Sequence, residues 1–504
     1  MKKLVTLLLV GLFPTLLQAQ ENSAALAARQ WRQQHERAIL DEFFSLLAIP
    51  NVASDKENIQ RNAEFIAGML EARGVEAQLV AVPGGNPIVF GEITVPDAAR
   101  TIAFYAHYDG QPLDPAEWAS PPFEPTLRSG LLQTGGNTIP LPAPGAALDP
   151  ESRIYARGAA DDKAPIMALM VALDSLRNAG IALRTNIKFA FEGEEEAGSA
   201  NLERTLAANK ELFAADLWLM CDAPLYQTRQ QSIIFGARGG SRLDVTLYGA
   251  LNELHSGHYG NWAPNPAMLM ARLLTSLKDE SGRVLVKGFY DDVEPLGELE
   301  RKAIDDAPPI DAMLMEEFML GATENPGQSL LELIAQPALN IRGMASSRIG
   351  SQASNVIPSE ATASLDIRLV KGMSPQKTVN QVIAHIEQQG FHVVGTEPDA
   401  ATRRAYPKVA LITPSYGSSA VRTPMDWPLA QEVVRVVESA RGETVLLPTM
   451  GGGLPLENIE RPLGTRTLII PIGNHDNNQH SHDENLRVQN LWDGIELMAA
   501  LLTM

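Results

Sequence analysis

Five places along the chain gather imidazole and carboxylate side chains. His107-Tyr108-Asp109 ends one apolar run, Glu192-Gly193-Glu194-Glu195-Glu196 ends a second, and Cys221-Asp222 ends a third. Asp161-Asp162 lies in a turn just ahead of a long apolar stretch, and Gly473, His475, Asp476, His480 and His482 follow a fourth run. A single acid after a strand is ordinarily a turn residue or a helix cap. Five converging groups differ, because each carboxylate buried without a partner costs several kcal/mol. A pair of divalent cations is the natural counter-charge. Nitrogen and oxygen ligands without sulfur suit zinc, and also manganese or cobalt. The single cysteine, Cys221, excludes an intramolecular disulfide and a thiolate cluster, and beside Asp222 it reads as a buried strand residue. No Gly-x-Ser-x-Gly elbow occurs, so a serine hydrolase of that type is excluded.

The apolar periodicity predicts the elements that must position these groups. Helical spacing covers 26–47 and 62–73, and short strand-like runs cover 79–82, 87–92 and 101–106. A buried helix fits 164–179, with strands at 186–191 and 216–220. In open α/β sheets, ligands gather at the carboxyl ends of strands, where 107, 192–196 and 222 fall. The chain then changes character near Gly236, Gly239 and Gly240. Strands at 242–248 and 361–369 alternate, and helices fit 264–277 and 374–389, which marks a separate α+β unit. After Pro424 helix and strand alternate again, with a buried strand at 467–471. Val488, Leu491, Ile495, Met498 and Leu502 then form the stripe of a packed final helix. The expected fold class is α/β, a sandwich on a central mixed sheet with an inserted α+β unit. Residues 129–150, rich in Gly, Pro and Leu without periodicity, read as a surface insertion.

Composition sets the outer bounds. The 504 residues exceed one ordinary core, and 45% hydrophobic with 20% charged residues is a globular balance. Sixty acidic against 41 basic residues, net −19, repel phosphate backbones, so nucleic acid is excluded as a partner. Lys2 and Lys3 precede an apolar stretch at 4–17 and a small residue at Ala19. That pattern predicts a cleavable leader at 1–20, a periplasmic or secreted location and no membrane span once the leader is gone.

Several motifs recur in a fixed order over nearly the whole chain. They are His107-Tyr108-Asp109, Arg157-Gly158-Ala159-Ala160-Asp161-Asp162-Lys163, Glu195-Glu196-Ala197-Gly198-Ser199, Asp222 and Leu254-His255-Ser256-Gly257. Asn355-Val356-Ile357-Pro358, Asp366-Ile367-Arg368 and Gln479-His480-Ser481 follow. In this the chain resembles the M20 family of co-catalytic metallopeptidases, which includes carnosinase-like dipeptidases, glutamate carboxypeptidases and acyl-amino-acid deacylases. The resemblance implies two divalent metal ions, zinc first. His107 and Asp222 would hold one, Glu196 and His480 the other, and Asp161 would bridge them through a cis Asp161-Asp162 peptide. Glu195 would be the general base and Asp109 would orient the His107 ring.

The resemblance also divides the chain into a catalytic unit (21–234 with 425–504) and a lid and dimerisation unit (235–424). His255 would reach the neighbouring subunit's site, which implies a homodimer. Arg368 would grip a substrate carboxylate, with Asn355 in support. Met450-Gly451-Gly452-Gly453-Leu454-Pro455 is similar to a family substrate loop, but Gly453 stands where a serine is usual. His475 and His482 either line the site or face solvent. The function so implied is an exported dinuclear-metal hydrolase that cleaves amide bonds of small peptides with a free C-terminal carboxylate. Two alternatives stand beside it: a deacylase of N-acyl amino acids, and a non-catalytic exported binding protein.

Overall fold

The computed structural model describes residues 22–504, so the leader expected at 1–20 lies outside the described residues. An eight-stranded mixed sheet forms the larger part. Its order is Glu76–Val80, Ile88–Ile93, Asn186–Glu192, Thr101–His107, Leu217–Met220, Thr467–Ile469, Ser232–Ile234 and Val445–Leu447. The four middle strands, from Asn186–Glu192 to Thr467–Ile469, are parallel to one another. They are apolar almost without a break because both sheet faces are covered. One face lies under the helices Ser23–Leu47, Lys163–Ala179, Pro428–Arg441 and Val488–Leu502, which share one apolar cluster. The other face packs a second cluster with Leu202–Ala208 and Leu456–Leu463.

The helix Lys163–Ala179 is buried nearly all round, as its continuous apolar sequence requires. Even Lys163 is enclosed. Its ammonium donates to the carbonyls of Leu46 (3.0 Å) and Ile49 (3.3 Å), and burial pushes its pKa down to about 7.

A five-stranded sheet forms the smaller part, in the order Ala338–Ala345, Glu360–Leu369, Gly239–Tyr248, Val409–Tyr416 and His392–Val394. Gly239–Tyr248 and Glu360–Leu369 alternate buried and exposed positions. Their inner faces pack with Pro266–Thr275 and Pro375–Gln388 into a separate apolar cluster. The edge strand Ala338–Ala345 is exposed on both faces over six of its eight residues. It therefore carries no alternation that periodicity could detect.

Two stretches behave differently from a simple reading of the sequence. Within 235–424, Ile310 and Leu330 pack on the larger sheet's second cluster, and the Tyr226 hydroxyl donates to the Pro308 carbonyl (2.7 Å). The insertion at 129–150 is fastened rather than free. Ile139, Leu141 and Leu148 pack on the main cluster, and the Leu148 N–H donates to Glu36 Oε2 (3.0 Å). Among the described residues no helix is long and apolar enough to cross a membrane.

Candidate metal centre

The register of the middle strands delivers the first ligand candidates. His107 stands opposite Glu192 at the carboxyl ends of adjacent parallel strands, and Tyr105 stands opposite Met220, two residues before Asp222. The sheet thus brings His107, the turn at 192–196 and Asp222 to one edge. Asp161 and Asp162, joined by a cis peptide, sit at the start of the helix Lys163–Ala179. Their turn is held by Glu484. Its buried carboxylate accepts from Arg157 Nη1 (2.9 Å) and from the N–H groups of Gly158 (2.9 Å), Ala160 (2.9 Å) and Asp161 (3.0 Å). Gly158 takes a left-handed conformation (φ +79°), and a Cβ there would come 2.7 Å from Asn51 Nδ2.

Asp161 occupies the middle of the cluster. One of its oxygens, Oδ1, lies 2.9 Å from His107 Nε2, and the other, Oδ2, lies 3.3 Å from His480 Nε2. Each histidine faces one further carboxylate. His107 Nε2 is 3.5 Å from Asp222 Oδ2, and His480 Nε2 is 3.4 Å from Glu196 Oε2. Ligand atoms of His107, Asp161 and Glu196 all lie within 4.8 Å of one another, and so do those of His107, Asp162 and Asp222. Of the two adjacent aspartates, Asp161 is the one that faces both histidines. Asp162 instead accepts from the His107 backbone N–H (3.2 Å), and burial with the Asp222 charge pushes its carboxyl well above the usual range.

Whether these residues fit cations can be judged from the rings and acids themselves. His107 Nδ1 lies 3.0 Å from the Asp109 carbonyl, an acceptor only, so Nδ1 carries the hydrogen. That leaves Nε2 as the ligand nitrogen, facing the carboxylates of Asp161 and Asp222. Burial and then the Asp161 charge push Asp222 and Glu196 up to about 7 each. Burial also works against ionised Asp161, but the facing imidazoles of His107 and His480 outweigh it and hold its carboxyl below the usual range. Among the described residues, the ion-pair partners of Asp161, Asp222 and Glu196 are these two histidines. A cluster so rich in buried acid and so poor in fixed cations fits a pair of divalent ions.

The remaining sequence candidates divide into two groups. Glu195 is in the cluster, and burial first, then the charges of Asp222 and Glu196, push its carboxyl well above the usual range. Asp109 does more than face the His107 ring. Its carboxylate accepts the backbone N–H groups of Glu195 and Glu196, at 3.0 Å each, and so fixes the turn that carries both acids. Gln111 Nε2 donates to Glu196 Oε2 (2.6 Å), a contact the sequence did not suggest.

His255, Asn355 and Arg368 belong to the smaller part. His255 is exposed, with Nδ1 accepting the Gly257 N–H (3.1 Å). Asn355 is exposed, and its carbonyl accepts the Ser256 N–H (2.9 Å). Arg368 Nε donates to Asp366 Oδ2 (2.8 Å). Gly453 lies in the loop over Arg238, where an added Cβ would be 3.5 Å from the Arg238 carbonyl. His475 is half-buried, while His482 lines a cavity of about 390 Å³ beside His480, with Trp118 and Arg157. Glu484 and Arg238 went unnoticed in the sequence. Glu484 falls in an aperiodic loop, and its closeness to His480 was the only available signal.

A model of peptidase family M20/M25/M40 matches residues 103–504. The chain belongs to this family. It is therefore a metal-dependent peptidase, and its M20 fold extends over the described chain. A Cys-Gly metallodipeptidase of Schizosaccharomyces pombe is 26% identical over 482 residues, covering 91% of this chain and 94% of the relative. The Beta-Ala-His dipeptidase of Homo sapiens is 27% identical over 434 residues, covering 84% of this chain and 78% of the relative. Among solved structures, an M20 family metallo-carboxypeptidase from Sulfolobus solfataricus aligns with a TM-score of 0.75 and 27% identity, covering 92% and 98% of the two chains. Human carnosine dipeptidase 1 aligns at the same TM-score of 0.75 with 23% identity, covering 96% and 99%, a likeness of fold.

Proposed function

We propose that this M20 chain is a dinuclear-metal dipeptidase acting on small peptides with a free C-terminal carboxylate. The observation that carries the reading is Asp161, with one carboxylate oxygen facing each histidine. His107 and Asp222 would hold one cation, His480 and Glu196 the other, and Asp161 both, with zinc the first choice of metal. When bound, the pair supplies Lewis-acid polarisation of the scissile carbonyl and a lowered pKa for a shared water. Glu195 is the general base. Its burial and raised proton affinity suit a carboxylate that accepts a proton from the attacking water and passes it to the leaving nitrogen. Asp109 keeps that base in place through the backbone of the same turn.

The relatives named for dipeptide hydrolysis support the substrate class. Arg368 with Asn355 would receive the substrate carboxylate, a task suited to a guanidinium fork. His255 would serve the site of a second copy in a homodimer. The smaller sheet's open edge supports that arrangement: Ile341 is 50% and Met344 64% exposed on the strand Ala338–Ala345. The basic and apolar run at 2–17 supports export with a cleaved leader, which N-terminal sequencing of the mature protein checks.

Elemental analysis and a product assay test the reading together. The expected result is two metal ions per chain and release of both amino acids from alanylalanine, with slower release from N-acetylalanine. Faster turnover of the acetyl compound would make the chain a deacylase. Metal-loaded protein that binds both compounds and turns over neither would make it a binding protein.

A further inference from the structure

Arg238 stands at the junction of the two sheets, directly ahead of the strand Gly239–Tyr248. Its Nε donates to the Gly451 carbonyl (3.2 Å) and its Nη1 to the Gln336 carbonyl (3.3 Å). Nη2 has no hydrogen-bond partner among the described residues. A Cβ added at Gly451 would stand in van der Waals contact with that nitrogen, at 3.6 Å, and the glycine there keeps the loop from crowding it further. The guanidinium is half-buried, and no carboxylate lies within ion-pair distance of it among the described residues.

Arg368 is its neighbour. In the antiparallel ladders Arg368 lies opposite Gly240 on one side and Ala338 on the other, two residues beyond Arg238 and Gln336 respectively. Asp366 is bonded to Arg368, and its charge is also the carboxylate charge felt at Arg238, without an ion pair. Burial, then the Arg368 charge, lower the Arg238 pKa to about 10, which still leaves it charged at neutral pH. The loop over Arg238 also leads towards the metal cluster. It enters the helix Leu456–Leu463, whose Asn458 Nδ2 donates to the Ser199 carbonyl (3.4 Å), three residues past Glu196.

We propose that Arg238 is a second carboxylate-recognising residue, acting with Arg368 to hold the free α-carboxylate of the peptide substrate. Two cations against one acid leave a single positive charge, which matches one monoanionic carboxylate. Nη2 is free to donate, and Nε and Nη1 are pinned to backbone, so the fork is preorganised. The loop at 451–453 lacks the hydroxyl of a serine at Gly453, and Arg238 supplies a donor on the same side. This assignment rests on the dipeptidase reading for its substrate.

The test compares alanylalanine with alanylalanine amide in wild type, Arg238→Met and Arg238→Lys, reading turnover and, separately, calorimetric binding. Loss of a charge-assisted hydrogen bond is expected to raise KM for the acid about 30-fold in Arg238→Met, with kcat little changed. The amide is expected to behave alike in wild type and variant. Arg238→Lys, which keeps the charge without the planar fork, is expected to fall between the two; it serves alone if Arg238→Met does not fold. Parallel losses for acid and amide, or no loss for either, would overturn the assignment. Acid-selective binding that depends on Arg238 without turnover would support it while overturning the peptidase reading.

Discussion

The metal cluster and the exposed face of the smaller sheet are opposite kinds of site. Around Asp161 the acids and His107 are enclosed and fastened, while the His480 side chain is 54% exposed. Glu484 takes four hydrogen bonds from the turn that carries Asp161, and Asp109 fixes Glu195 and Glu196. His255, by contrast, is exposed and bonded to its own turn, and elsewhere in the smaller part a sheet edge shows Ile341 and Met344 to solvent. The first region is organised by contacts within one chain. The second presents apolar area and an exposed histidine whose Nδ1 caps its own turn. On the proposed homodimer, the difference separates residues that act within one chain from residues that act across two.

Substitutions should divide along that line. The largest effect is expected for Glu195→Gln, about 10²–10⁴-fold in kcat with both metals retained, as for loss of a general base. Unchanged turnover in metal-loaded protein would remove Glu195 from the chemistry. Glu484→Gln comes next. It leaves the Arg157 guanidinium buried without its counter-charge, which costs about 3–5 kcal/mol. Denaturant melts should show that loss, and elemental analysis should show weaker metal retention. A variant as stable as wild type would mean that the turn does not depend on Glu484.

The exposed region should respond more mildly. His255→Ala is expected to lower kcat about 10²-fold, the scale for removing one oxyanion donor, with no change in melting or metal content. Mixing it with Glu195→Gln protein should restore activity, because each mixed dimer regains one intact site. The absence of recovery would confine His255 to its own chain. Met344→Asp, smallest of the four, is expected to shift the protein to monomer in light scattering, with activity falling no further than in His255→Ala. A fully active monomer would end the cross-subunit account.

The same contrast explains what the sequence disclosed. The middle strands and the helix Lys163–Ala179 were legible because burial on all sides demands uninterrupted apolar residues. The cost of burying acids without a counter-charge drew attention to the groups at the strand ends, and the resemblance to the M20 motifs singled out His107, Asp161, Glu196, Asp222 and His480 among them. Glu484 was hidden: its role depends on backbone N–H groups more than 320 positions away in the chain, which no local pattern records. The strand Ala338–Ala345 was hidden for a different reason, since an edge open on both faces has no alternating pattern. Arg238 sat among glycines that mark a change of unit, and only the fold sets it beside Arg368.

The account turns on Asp161 lying between two cations. Anomalous diffraction at the zinc edge from zinc-loaded crystals measures this directly. The expected map holds two peaks about 3.5–4 Å apart, each within bonding distance of a different Asp161 oxygen. A single peak, or a pair that leaves Asp161 outside both coordination shells, would contradict it.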